Sequence, residues 1–96
     1  MLSADIENIV ALEIGRSVPE VQAVFACLEE RANVLHVWAV VPERDRAVYR
    51  KIYAAEKDLI ERFGHLGFDF NVLSSSGRDP RTLVNDPGVE LAFLRA

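Results

Sequence analysis

The side chains able to do chemistry are few, and their spacing is informative. The chain has two histidines, His36 and His65, and one cysteine, Cys27. His36 lies in Val34-Leu35-His36-Val37-Trp38-Ala39-Val40-Val41, a β-prone run that places Trp38 on the same face. Asp69 and Asn71 alternate with Phe68, Phe70 and Val72, so they project together from one face of another strand. If the two strands are neighbours, His36 meets Asp69. An imidazole beside a carboxylate can do acid–base work, ligate a metal or tie two strands together. His36, Asp69 and Asn71 are therefore the ligand-binding candidates, and no residue is assigned a catalytic role. Ser74, Ser75 and Ser76 follow a strand, as some nucleophiles do, but a triad also needs a base and an orienting acid. They read as loop. Cys27 sits in an apolar run without the positive neighbours of a reactive thiol, and reads as a small buried hydrophobe.

Aromatic and basic residues supply the other candidates. Trp38, Tyr49 and Tyr53 are interface candidates, because such rings are enriched at subunit contacts. Arg44, Arg46, Arg50 and Lys51 cluster at the start of a helix, against its dipole, and are the anion-binding candidates. The five glycines stand alone or in turns, with none of the spacings that cradle phosphate. The residue types show no metal-ligand spacing, and no metal or cofactor is expected.

The elements that must position these residues follow from periodicity. Leu2, Ile6, Ile9, Val10 and Ile14 form one helical stripe, with Ser3 or Asp5 as cap and Gly15 placed for a left-handed end, which predicts a helix over 4–14. Residues 21–28 are apolar at both alternating positions, which suits a strand covered on both faces. With the His36 strand they read as an antiparallel hairpin. The competing reading makes 17–31 a helix capped by Ser17. Val48, Ile52, Ala55, Leu59 and Phe63 line one face of a long helix that Glu43 or Asp45 opens and Gly64 stops. Residues 68–73 form the next strand. Pro80 to Val84 suggest a short helical turn. Asn85-Asp86-Pro87-Gly88 marks a turn. Residues 89–94 read as an edge strand, though they are short enough for a helical turn.

The order is helix, strand, strand, helix, strand, with that last strand after it. This predicts one α+β domain over 1–96, a two-layer sandwich with a mixed sheet of three to four strands and both helices on one face. A right-handed crossover sets the third strand parallel to the second. The 96 residues are half apolar, enough for a core, with a formal charge of −4 that argues against a general nucleic-acid binder. Acids outnumber bases over residues 1–43 and not beyond, an asymmetry that could orient two copies. No apolar run approaches the roughly 20 residues of a membrane span, and residues 1–14 lack the basic start of a secretory signal. A cytoplasmic protein is expected. Two helices cover only one face of a sheet whose hairpin is apolar on both, so a second copy is expected to cover the other.

Helix, strand pair, helix and a strand with a central Asp69 resemble the core of a minimal nucleotidyltransferase domain over roughly residues 4–73. That family holds triphosphate at a Gly-Ser turn after the first strand and two metals on an Asp-x-Asp pair in the second. Here residues 25–29 carry no Gly-Ser, His36-Val37-Trp38 stands at the Asp-x-Asp position, and Phe68-Asp69-Phe70 matches the third carboxylate. The resemblance implies a degenerate domain without catalysis. The segment 51–70 also resembles small bacterial proteins of unassigned function. The expected function is protein–protein contact, as a homodimer. The alternative is a nucleotide-binding or phosphoryl-transfer enzyme using Asp69.

Overall fold

A strand apolar on both faces needs two covers, and the chain supplies both. The computed structural model describes residues 3–96, with side chains described from residue 6 onward. In chain order the elements are α1 (Ser3–Ser17), β1 (Ala23–Glu29), β2 (Val34–Val41), α2 (Arg46–Arg62), β3 (Gly67–Ser74), a 3-10 turn at Pro80–Thr82 and β4 (Glu90–Leu94). This is the expected α+β sandwich. The sheet order is β3-β2-β1-β4. β1 and β2 form the antiparallel hairpin, β3 lies parallel to β2, and β4 pairs antiparallel with β1. Residues 17–31 are thus not a helix, because their apolar residues need two faces rather than one stripe. Residues 90–94 are a strand, completing the far side of β1. Leu2 and the capping side chains of Ser3 and Asp5 lie outside the described residues. Among the described residues no helix is long and apolar enough to cross a membrane.

Both helices cover one sheet face. Val10, Ala11 and Ile14 of α1 and Val48, Ile52 and Leu59 of α2 meet Val24 and Ala26 of β1 and Leu35, Val37 and Ala39 of β2. Asp45 fixes the start of α2, its carboxylate accepting from the N–H groups of Ala47 at 2.9 Å and Val48 at 3.4 Å. The opposite face is covered by the segment between β3 and β4. Leu83, Val84 and Val89 pack over Ala23, Phe25 and Val40, with Trp38 and Leu73 alongside. Phe25 is only 3% exposed within this single chain. The expectation that a second copy covers this end is therefore corrected: the chain covers it itself. Buried Ser75 anchors the crossing, its hydroxyl donating to Gln22 Oε1 at 2.7 Å and its N–H to Val41 O at 2.8 Å.

The end of α1 differs from expectation. Gly15 is not a left-handed cap; the helix runs on to Ser17. Its missing side chain admits the Phe93 ring of β4, whose atoms lie 2.5–2.7 Å from where a Cβ would stand. Arg95 completes the lock. Its guanidinium donates to the carbonyls of Gly15, Val18 and Val21, at 3.3 Å and 2.9 Å for the last two, and lies 5.1 Å from the Phe93 centroid. A cation there also suits the negative end of the helix dipole.

Gly15→Ala separates two opposing effects. Helix propensity alone favours alanine by about 1 kcal/mol. Overpacking against a ring held by β4 and Arg95 costs about 1–3 kcal/mol. The expected outcome is a net loss, read in thermal denaturation as a fall of roughly 5–10 °C. A raised Tm would show that the ring moves aside freely.

Candidate functional site

The parallel register of β2 and β3 sets His36 opposite Asp69 and Trp38 opposite Asn71, while the hairpin sets Cys27 opposite His36. The ligand-binding candidates therefore do meet. His36 Nδ1 lies 2.9 Å from Asp69 Oδ2, and His36 Nε2 lies 3.0 Å from Glu29 Oε1. Asn71 donates to Asp69 Oδ2 at 3.5 Å and to Val37 O at 3.4 Å. The His36 ring stacks near Trp38, centroids 6.2 Å apart. A ring nitrogen bonded to a carboxylate must carry the proton, so this geometry suits an imidazolium clasped from both sides. The Asp69 hydrogen bond, then that of Glu29, raises the His36 pKa against a smaller opposing effect of burial. The His36 bond in turn lowers that of Asp69.

Such a clasp joins β1, β2 and β3 by charge at the end of the sheet that the chain leaves open. It leaves the imidazole no free nitrogen with which to act as a base or a ligand. Among the described residues no group of three His, Cys, Asp or Glu side chains is arranged to hold a metal ion. Cys27, half-buried beside the clasp, has its thiol pKa raised by burial first and then by the carboxylates of Glu7, Glu29 and Glu90. It is a poor nucleophile there.

The His36 pKa is raised in the folded state, so the clasp contributes stability fully below the unfolded value of about 6.5 and loses it as pH rises through the folded value. The expected result, followed by NMR titration of the ring protons, is a midpoint above 6.5 that drops in Asp69→Asn. An unchanged midpoint in that variant would dissolve the clasp.

The second constellation lies on the helix side, at the outer edge of β3. Tyr49, Tyr53, Glu56 and Ile60 are spaced four, three and four apart, which puts them on one stripe of α2. With Phe70, Val72, Leu73 and Ser74, the first three of these residues and Arg44 line a groove of about 430 Å³. The Tyr49 and Tyr53 rings stand at 72° with centroids 6.3 Å apart. Burial alone pushes the Glu56 carboxyl up to about 7. No hydrogen bond or ion pair holds Glu56 among the described residues.

The structure redistributes the remaining candidates. Lys51 points to the α1 side of α2, pairs with Glu20 at 2.8 Å and borders a separate cleft with Glu13 and Asp58. Arg46 and Arg50 are exposed, and Arg44 lines the groove. The four bases thus form no single anion site: Arg44 precedes α2, Arg46 and Arg50 share one exposed face, and Lys51 turns toward α1. Trp38 lies on the opposite sheet face from Tyr49 and Tyr53, so those three do not form one interface. Sequence reasoning missed Glu56. Its only local signal is its place on the stripe with two tyrosines.

Ionising Glu56 in the fold costs free energy, so its contribution falls as pH rises from the unfolded value toward about 7. Glu56→Gln is expected to raise Tm at about pH 8.5, by the equivalent of roughly 1 kcal/mol after discounting for partial solvent exposure, and to change little at about pH 4.5. Equal shifts at both pH values would remove burial of the charge as the cause.

With this geometry in hand, comparison with known proteins adds no relative: no protein-family model and no curated protein sequence matches the chain.

Proposed function

We propose that the protein works through protein–protein contacts, self-associating as a homodimer through the free edge of β3. The observation that carries the reading is the character of that edge. β3 pairs with β2 at all eight positions from Gly67 to Ser74 without irregularity, so its other side presents a long, regular row of backbone groups. The opposite edge is less inviting: β4 has five residues, and its pairing with β1 shifts register between Val24 and Phe25. Bulged and short edges resist pairing, whereas long regular ones template it. Beside β3, Tyr53 is 56% and Ile60 47% exposed. Antiparallel pairing of two β3 edges about a twofold would extend the sheet to eight strands and bring the two Tyr53–Ile60 surfaces together.

The same proposal takes the domain as a nucleotidyltransferase-like scaffold without that family's chemistry. Its support is the β2–β3 register, which places position 36 beside Asp69 while supplying an imidazole where a carboxylate would hold metal. A reducing, cytoplasmic setting suits a chain whose single thiol is half-buried and unpaired. The nucleotide-binding alternative through Asp69 gains no support, because that carboxylate is engaged by His36 and Asn71.

Size-exclusion chromatography with light scattering, run across the micromolar range, is expected to show twice the chain mass. Hydrogen exchange should slow at β3 amides as concentration rises. A clean monomer at high micromolar concentration sinks self-association. A dimer with unprotected β3 amides moves the interface elsewhere.

A further inference from the structure

We propose that the groove between α2 and β3 is a binding site for an alkylammonium cation, held by the rings of Tyr49 and Tyr53 and the carboxylate of Glu56. Every wall comes from one chain, but Tyr53 also lies on the surface that the proposed pairing of β3 edges would cover, so a protein that dimerises yet binds no butylammonium refutes this site and leaves the first reading standing. Three aromatic side chains, Tyr49, Tyr53 and Phe70, line the same cavity as an unpartnered carboxylate. The two tyrosine rings meet edge to face at 72°, and both border the groove. The electron-rich face of an aromatic ring attracts a cation, and aromatic side chains beside a carboxylate accept an ammonium group while leaving its alkyl stem on apolar surface. Val72 and Phe70 supply that surface. A cavity of about 430 Å³ has room for such a side chain or small amine.

The charge pattern selects a cation rather than an anion at this point. Glu56 is half-buried with no basic partner among the described residues, and burial is the sole cause of its raised pKa. An arriving ammonium supplies the missing counter-charge and favours the ionised carboxylate. Arg44 lines the same groove and makes no ion pair with Glu56 among the described residues.

The ammonium has two natural sources, a free amine or a lysine side chain of another polypeptide, and the test separates them. The probes are n-butylammonium chloride, n-butanol as its neutral counterpart, and a Val-Lys-Val tripeptide blocked at both ends. Amide shifts are followed by NMR at about pH 8.5, where Glu56 is ionised. Butylammonium is expected to give saturable shifts at Tyr49, Tyr53, Glu56 and Phe70 with a millimolar Kd, and n-butanol none. Glu56→Gln should weaken binding by about tenfold or more, and Tyr53→Ala, at an exposed position, by roughly threefold or more. A tripeptide bound about tenfold tighter than butylammonium assigns the site to a polypeptide lysine; equal or weaker binding assigns it to a free amine. Absence of saturation below about 100 mM, or equal affinity of n-butanol or of the Glu56→Gln protein, overturns the proposal.

Discussion

The structure depends on one constraint: the β1–β2 hairpin is apolar on both faces. Each fully buried Val, Leu or Phe contributes about 1.5–3 kcal/mol, so neither face of the hairpin can be left wet without forfeiting several such contributions. α1 and α2 satisfy the Val24, Ala26, Leu35 and Val37 side. Leu83, Val84 and Val89 satisfy the Phe25 and Val40 side. The second requirement sends the chain from the end of β3 across the sheet and brings β4 to the free side of β1. β3 is left as an outer edge, with α2 beside it. The position of the groove is thus a consequence of how the hairpin is covered.

The two ends of the second sheet face solve different problems. At the Phe25 end the cover is apolar and comes from the same chain. At the His36 end the side chains are polar and solvent reaches them; the His36 side chain is 27% exposed and its two carboxylate partners more than half. Charge pairing replaces burial there, and at that exposure its worth is modest. Its value lies in register: Glu29, His36 and Asp69 come from three adjacent strands, and a shift of one residue would turn any one of them to the helix side. Glu56 shows the converse. It is a half-buried carboxylate in a mainly aromatic and apolar groove, without a partner among the described residues, where the cost of the charge is retained rather than cancelled.

Much of the architecture was legible in the amino-acid order. The long helix, the hairpin and the parallel return of β3 follow from periodicity, because a stripe at 3.6 residues and an alternation at two have different geometric solutions. The meeting of His36 with Asp69 was legible conditionally, once the strands were taken as neighbours. Gly15 was misread. A glycine after an apolar stripe signals a helix end locally, and only the approach of Phe93, 78 positions along the chain, shows that the glycine makes room inside a continuing helix. The separation of Lys51 from Arg44, and of Trp38 from the tyrosines, also depended on which way each element turned.

By itself, then, the sequence determined the element types, the α+β class and the two-sided demand of the hairpin. These are local properties, set by side-chain spacing along a helix or strand. Tertiary structure alone decided that the chain's own residues 83–89 answer that demand, that β3 keeps a free edge, and that Glu56 shares a groove with two tyrosines and Phe70 without a partner among the described residues. Those outcomes depend on distances between residues far apart in the chain, fixed only when all the elements compete for the same core.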